Sequence, residues 1–284
     1  TCNSKVSVCD TTSSIPDAEP INRTWPTVAA NLGVEYRPLP AFSLLANYDR
    51  SYRAPNLDDL TAFGLTGAGL QSPNQSLEPE QGDTFEAGVR VATPNAWPNA
   101  PVAVEADFWI FRSILFDAIT RESLGKGFVR LVNVPGASTI DGFESAAKVT
   151  LPRGFVARGT VAYTYGEGPN PADQGEIVPL SRMPPLNGTA ELRWQSPFDV
   201  YLAGAMRWSL SQTRLAITDI KDKRIPTGGT PGFVVFDLRA GYRFKRNFRI
   251  SAVLENLGDE PYRYHGSSVN GPGRSVSVSL EGGL

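Results

Sequence analysis

The chain has 284 residues, a formal net charge of -2 from 27 basic and 29 acidic residues, one histidine and two cysteines. The near balance of charge argues against a nucleic-acid partner, and the shortage of histidine and cysteine argues against a metal centre. We therefore expect no metal and no cofactor. No run approaches the roughly 18 apolar residues of a transmembrane helix, although 41% of the residues are hydrophobic.

The first 23 residues are polar and contain both cysteines. Cys2 and Cys9 lie seven positions apart among serine, threonine and aspartate. Two thiols this close in a loop predict a disulfide in an oxidising compartment, with two unpaired thiols as the alternative. The segment lacks the basic and apolar regions of a signal peptide. We therefore expect either a mature N-terminus or a start within a longer protein.

From residue 24 onward, hydrophobic and polar residues alternate with a period of two, as in strands with one apolar face. Phe236, Leu238 and Tyr242 fall on one face of such a strand, and Asp237 and Arg239 fall on the other. Several of these segments approach the roughly ten residues with which a tilted strand crosses a bilayer. About eleven strands are predicted, at 24–37, 40–53, 80–93, 101–120, 128–151, 154–166, 185–196, 199–215, 233–244, 247–262 and 273–282.

The predicted connections alternate in length. Short turns alternate with long loops, which is typical of an up-and-down barrel in an outer membrane and not of a sandwich. Aromatic residues near the strand ends fit girdles at the two membrane interfaces. We therefore predict an all-β fold, namely a portion of a transmembrane antiparallel β-barrel. Its long loops are expected at about 54–79, 121–127, 167–184, 216–232 and 263–272.

The polar faces of these strands are predicted to line a lumen. Glu105 and Asp107 lie two apart, roughly 6.5–7 Å along a strand, which would also suit the carboxylate pair of a hydrolase. A hydrated lumen wall of mixed charge accounts for all the polar positions on these strand faces, whereas a hydrolase pair would account for only two. We therefore predict no enzymatic activity and no catalytic residue. The predicted lumen wall consists of Glu86, Arg90, Glu105, Asp107, Glu191, Arg193, Arg207, Asp237 and Arg239.

Two further groups are candidates for a catalytic or metal site, and the sequence supports neither. His265 lacks the strand-turn-helix nucleophile elbow that a serine hydrolase would need, so we interpret it as a loop histidine. The charged run from Asp219 to Arg224 has too few oxygen ligands at ordered spacing for calcium. We interpret it as a solvated charge cluster.

Two motifs lie about two hundred residues apart. The first is Ser51-Tyr-Arg-Ala-Pro-Asn-Leu-Asp-Asp-Leu60 followed by Asn74-Gln-Ser-Leu-Glu-Pro-Glu80. The second is Glu255-Asn-Leu-Gly-Asp-Glu-Pro-Tyr-Arg-Tyr-His-Gly-Ser-Ser-Val-Asn-Gly-Pro-Gly-Arg274. In this order they resemble the "SFRAPSLxEL … NPNLKPE" and "NLFDKxYRxHGSGxNGPGR" stretches of TonB-dependent outer-membrane receptors.

The resemblance implies a 22-stranded barrel that encloses an N-terminal plug domain. Such a receptor binds a scarce nutrient, usually a ferric siderophore, haem, cobalamin or a glycan, and imports it with energy passed through TonB. This chain resembles about 11 of the 22 strands, the C-terminal half of the barrel without the plug. The implied location is the bacterial outer membrane. The implied partners are outer-membrane lipid, TonB via the missing plug, the missing N-terminal half of the barrel and a small nutrient ligand.

The C-terminus departs from the family pattern. Members usually end on an aromatic residue that assists assembly, whereas this chain ends Leu280-Glu-Gly-Gly-Leu284. Whether Leu284 is the native C-terminus therefore stays open. At the other end, residues 1–23 would be the remnant of an extracellular loop that Cys2 and Cys9 tether.

Arginine and aromatic rings suit anionic, aromatic chelates, so a ferric siderophore is the expected ligand. Two other classes of protein stay open, a passive porin-like channel and a secreted β-sandwich carbohydrate-binding module. The expected ligand-binding residues lie before the first long loop or within the later loops, and they are Tyr52, Arg53, Arg182, Tyr264, His265 and Arg274.

Overall fold

The computed structural model describes residues 22–66, 69–93, 99, 101–173, 175–244 and 247–283. Cys2 and Cys9 lie outside these residues. In chain order the described strands are β1 (Ala30–Leu39), β2 (Phe42–Arg53), β3 (Gly64–Thr66), β4 (Gly69–Ser72), β5 (Glu80–Ala92), β6 (Ala103–Phe116), β7 (Ile119–Gly125), β8 (Phe128–Asn133), β9 (Ala137–Thr150), β10 (Phe155–Pro169), β11 (Ile177–Pro179), β12 (Asn187–Gln195), β13 (Val200–Ser209), β14 (Phe233–Phe244), β15 (Phe248–Glu255) and β16 (Ser275–Gly282).

Eleven strands form one antiparallel path in the order β1-β2-β5-β6-β9-β10-β12-β13-β14-β15-β16, and β11 pairs with β10 beside it. Each strand of this sheet pairs with the strand of the sheet that comes next in the chain. The strands that lie between them in sequence, such as β3 and β4, belong to loops. Within the described residues, β1 and β16 each have one partner strand. The fold is therefore an up-and-down β-sheet, as part of a barrel would be.

The two faces of the sheet differ as the alternation predicts. On β14, Phe236 and Leu238 are 51% and 49% exposed, whereas Asp237 is 2% exposed. The exposed rows continue on neighbouring strands with Leu202 and Val278. A water-soluble sandwich would bury these rows between two sheets. The β-sandwich alternative is therefore wrong, and the predicted barrel portion is confirmed.

Aromatic pairs mark the two ends of the apolar face. Phe155 stacks near Trp194, with ring centroids 6.4 Å apart, and Tyr163 lies 6.0 Å from Phe143. Phe155 and Tyr163 both lie on β10 and are separated by about 26 Å at roughly 3.3 Å per residue. With the strand tilt of roughly 35–45° in outer-membrane barrels, this separation spans about 20 Å of the apolar band, which is about 25 Å tall.

The largest difference from the sequence prediction is a second sheet. β3, β4, β8 and β7 form a four-stranded sheet in that order, and β4 pairs with β8 in parallel. The sequence predicted two long strands, 101–120 and 128–151, with a loop at 121–127. Instead, β6 and β9 are shorter, and β7 and β8 form a hairpin between them. Apolar and polar residues also alternate through β7 and β8. The sequence pattern therefore did not reveal where the strands of the main sheet end and the loop begins.

Other predicted strands are longer than the observed ones. The strands predicted at 24–37, 199–215 and 247–262 are shorter in the structure, as β1, β13 and β15. In the predicted loop 167–184, β10 extends into the first residues and β11 occupies three more. The predicted loop 54–79 contains β3, β4 and a short helix. Boundaries were misjudged because loop residues also alternate between apolar and polar types.

The helices of the described residues are short. α1 (Leu57–Thr61) begins with a capping box, in which the Asp59 backbone N–H donates to the Asn56 side chain and the Asn56 N–H donates to the Asp59 carboxylate. α2 (Ile217–Ile220) lies in the loop between β13 and β14. No helix in these parts of the chain is long and apolar enough to cross a membrane.

Candidate ligand-binding site

The polar face of the sheet carries opposite charges in pairs. Lys148 Nζ lies 2.7 Å from Glu105 Oε1, and Arg239 Nη1 lies 2.8 Å from Glu191 Oε2. These groups line a recess of about 580 Å³. The pairs are partly exposed, so each contributes little to stability. Together they make a hydrated surface with alternating charge.

All nine residues of the predicted lumen wall project from this same face of the sheet, because their positions agree in strand register. Arg90 pairs with Asp107 at 2.7 Å, and Glu86 accepts a hydrogen bond from Asn47 at 3.0 Å. The guanidinium of Arg193 lies 4.1 Å from the centre of the Tyr201 ring. The face thus has the donors and acceptors to bind polar groups.

One part of this face is apolar and covered. Phe233 and Val235 are 6% and 0% exposed. The ring of Tyr262, from the loop between β15 and β16, packs against Phe233 with centroids 4.9 Å apart. The guanidinium of Arg207 lies 5.5 Å from the same tyrosine ring. The last loop therefore folds back onto the polar face of β13 and β14.

Asn256 holds both ends of this loop. Its side-chain amide donates to the carbonyls of Glu260 at 2.9 Å and Pro272 at 3.1 Å, and its side-chain oxygen accepts the Glu260 N–H. Asn256 is fully buried and adopts a positive φ of 50°, a conformation that asparagine tolerates better than most residues. Asn256, near the start of the second motif, thus joins the two ends of this loop.

Three loops meet at one buried carboxylate. We call residues 170–186, 210–232 and 256–274 the three-loop cluster. Asp219 is 2% exposed, accepts a short hydrogen bond from the Ser181 hydroxyl and accepts the Arg182 backbone N–H at 3.0 Å. The interpretation of Asp219 as part of a solvated charge cluster was therefore wrong. Its partners lie almost forty residues away, so nothing in the local sequence signals its burial.

His265 lies beside this carboxylate. Its side chain is 3% exposed, and Nε2 lies 4.0 Å from Asp219 Oδ2, too far for a hydrogen bond. Nδ1 is hydrogen-bonded to the Thr230 hydroxyl at 2.9 Å. Burial lowers the pKa of His265, Asp219 opposes that effect, and Arg182 adds to the lowering. Burial and Arg182 thus favour the neutral form of the imidazole.

The structure brings together three of the six predicted ligand-binding residues, namely Arg182, Tyr264 and His265. Arg182 packs beside Gly266, where a Cβ would lie 3.5 Å from the arginine Cδ. Tyr264 is 51% exposed, and its ring meets Phe233 edge to face. Arg182 also keeps half of its side chain exposed while its Nη2 contacts Asp222 at 3.4 Å. Arg182 and Tyr264 thus give the three-loop cluster one exposed cation and one exposed aromatic ring.

Of the other three predicted residues, Tyr52 and Arg53 lie on β2, and Arg274 lies at the last position of the loop 256–274. Arg53 pairs with Glu80 and with Asp59, near the other edge of the sheet. Tyr52, on the neighbouring position of β2, projects from the opposite face and is 47% exposed. The backbone N–H of Arg274 donates to Asp259 at 2.7 Å, so this residue helps to end the last loop.

The first motif joins two loops. Leu77 is fully buried, and the Asn74 side chain donates to the Leu131 carbonyl at 2.8 Å. Asn133 reciprocates, since its side chain accepts the Glu78 N–H at 2.9 Å and donates to the Glu78 carbonyl at 2.8 Å. The motif therefore attaches the β7–β8 hairpin to the loop before β5.

Comparison with known proteins places the fold. The family described as "TonB dependent receptor-like, beta-barrel" matches residues 10–257. The chain belongs to this family. It is a bacterial outer-membrane protein, as members of the TonB-dependent receptor family are.

Solved structures share the fold at low sequence identity. The copper transporter OprC is 21% identical with a TM-score of 0.70, over 89% of this chain and 39% of that chain. A HasR hemophore receptor of Serratia marcescens, in complex with HasA and heme, is 19% identical with a TM-score of 0.70, over 89% and 39%. A mutant of the ferric enterobactin receptor PfeA of Pseudomonas aeruginosa is 19% identical with a TM-score of 0.65, over 89% and 40%. This TonB-dependent receptor chain thus spans about two fifths of their length.

Proposed function

We propose that this chain forms the C-terminal part of the barrel of an outer-membrane receptor that takes up a scarce nutrient with energy supplied through TonB. The observation that carries the proposal is the three-loop cluster, which presents Arg182 and Tyr264 beside the charged face of the sheet. Membership of the TonB-dependent receptor family supports it. In this proposal the long loops are extracellular, and the plug and the remaining strands complete the receptor.

The steps follow from the charges and rings of this chain. Arg182 binds an anionic group of the ligand, and Tyr264 packs against its aromatic part. The ligand then passes along the paired charges of the polar face, where exchange of partners among ion pairs and water costs little. Movement of the plug, which TonB drives, opens the path.

A ferric siderophore is the ligand class that this surface suits best. Catecholate siderophores combine negative charge with aromatic rings, which matches the exposed Arg182 and Tyr264 of the three-loop cluster. The solved neighbours are named for copper, ferric enterobactin and heme. A binding assay should therefore include a ferric catecholate, a ferric hydroxamate, haem, cobalamin, a glycan and copper.

The test measures binding to the protein in outer membranes. We expect Tyr264→Ala and Arg182→Gln each to weaken the binding of a ferric catecholate by about tenfold, the loss expected for one aromatic or charge-assisted contact. Phe198→Ala is the matched control, because Phe198 is 81% exposed but lies in the short turn before β13. Equal binding by all three variants would overturn the assignment of the site, and binding of none of the six ligands would overturn the ligand class.

A passive porin-like channel remains the alternative, since it would share the apolar face and the polar wall. The two functions differ in their need for energy. Uptake through the proposed receptor stops when the proton-motive force is dissipated or TonB is deleted. Uptake that continues at the same rate under both conditions would favour the channel.

A further inference from the structure

We propose that His265 is a proton-operated release for the three-loop cluster, so that protonation of its imidazole separates the loops on acidification. The inference depends on the contacts of the imidazole and not on the identity of the ligand. His265 is the one histidine of the sequence, and it contacts Thr230 and Asp219 of the loop 210–232. The next residue, Gly266, lies beside Arg182 of the loop 170–186.

The surroundings of Nε2 disfavour a second proton on the imidazole. Nε2 is buried and has no hydrogen-bond partner among the described residues. The nearest carboxylate oxygen, Asp219 Oδ2, is 4.0 Å away and already accepts the Arg182 N–H. With Nδ1–H donating to the Thr230 hydroxyl, protonation adds an N–H and a full charge at the buried Nε2, and a buried charge without a hydrogen bond is costly.

The charged groups around the ring do not remove this cost. Asp219, from the loop 210–232, attracts the proton, whereas Arg182, from the loop 170–186, repels it. Asp222 is shared between Arg182 and the guanidinium of Arg224. On the histidine's own loop, the Arg263 guanidinium donates to Asn270 and to the Arg224 carbonyl. Burial and Arg182 together outweigh Asp219.

The direction of the pH effect follows from linkage. The pKa of His265 in the closed cluster lies below its ordinary value of about 6.5. The released imidazole binds a proton more readily than the closed one, so acid favours the open cluster. Closure is therefore fully stable above about pH 6.5 and loses stability as the pH falls through the lowered value. Each unit of pKa difference changes the ratio of open to closed loops by about tenfold.

The first experiment follows the proton itself. In the full protein labelled with carbon-13 histidine and carrying no histidine tag, the signal that His265→Gln removes belongs to His265. We expect it to titrate below pH 6.5 in the parent protein. Arg182→Gln removes the repelling charge and should raise the midpoint. A midpoint at or above 6.5 in the parent would overturn the proposal.

The second experiment follows the loops. A spin label is placed at Ser268, an exposed position in the loop 256–274, in a background in which Cys2 and Cys9 are serine. In the parent protein the mobility of the label should rise as the pH falls from 7.5 to 5.5. In His265→Gln, whose neutral amide can still form a hydrogen bond with Thr230, the mobility should stay constant. A label at Ser123, in the other loop sheet, is the control and should show no change. Mobility at Ser268 that is independent of pH, or that changes equally in His265→Gln, would overturn the proposal.

Discussion

The backbone N–H of Asn256 donates to Asp237 Oδ1 at 2.9 Å, and both residues are buried. This bond ties the first residue after β15 to the middle of β14. The same carboxylate lies 3.4 Å from Arg207 Nη2 on β13. Asp237 therefore joins the sheet, the last loop and a partly buried arginine at one point, and it is more than a hydrated wall residue.

Replacement of this carboxylate should destabilise the protein. Asp237→Ala leaves the buried Asn256 N–H and the Arg207 charge without their acceptor, at a cost of about 3 kcal/mol in the free energy of unfolding. Urea unfolding in lipid vesicles measures this cost. Glu281→Gln is the control, because Glu281 pairs with Arg249 at 3.6 Å on an exposed surface and should change stability by less than about 0.5 kcal/mol. Similar effects of both variants would contradict the structural role of Asp237.

A charge on the apolar face should prevent stable insertion. Leu238 is 49% exposed and lies in the apolar row that we expect to face hydrocarbon, so Leu238→Arg should cost about 2–4 kcal/mol. Thr189→Arg places the same charge on the polar face, beside Glu191 in the recess, and should be nearly neutral. Heat resistance of the folded band in detergent gels compares the two. If Leu238→Arg resists heat as well as Thr189→Arg does, the apolar row does not face lipid.

The loop 54–79 and the β7–β8 hairpin should both become more mobile when the hydrogen bonds between them are removed. Asn133 bonds both to Glu78 and to the Asp117 carbonyl at 2.8 Å. Asn133→Ala removes these bonds, at about 1–3 kcal/mol, and hydrogen exchange should accelerate in residues 54–79 as well as in 119–133. Asn31→Ala, which removes only long, exposed bonds to Asn47 and Asp49, is the control. Faster exchange in one loop without the other would show that they move independently.

One glycine of the last loop should tolerate no side chain. A Cβ at Gly271 would lie 2.0 Å from the Tyr262 ring, whereas a Cβ at Gly258 would meet no atom within 4 Å. Gly271→Ala should therefore displace Tyr262 from Phe233 and cost about 1–3 kcal/mol by overpacking. Near-ultraviolet circular dichroism and thermal unfolding measure the change. Gly258→Ala should keep the parent's spectrum and melting temperature, and the prediction fails if Gly271→Ala does too.

Contacts between residues that are distant in the sequence determine the structure of the candidate ligand-binding site. The alternation through 119–133 indicated strand, but it did not indicate that β7 and β8 form a hairpin outside the main sheet in which β8 pairs with β4. Asp219 was interpreted as part of a solvated charge cluster and His265 as a loop histidine. Their hydrogen-bonded partners Ser181, Arg182 and Thr230 lie more than thirty residues from them in the sequence. Likewise, Phe233 and Val235 lie on the polar face of β14, where they form a buried cluster with Tyr262.

By itself the sequence determined the fold class, the family resemblance and the residues that share each face of the main strands. It could do so because side chains of a strand point to opposite faces with a period of two, which is a local property. The tertiary structure alone decided which loops meet, which charges are buried and where Asn256 and His265 find their partners. Those outcomes depend on hydrogen bonds and packing between residues that are tens of positions apart, and a local pattern does not encode them.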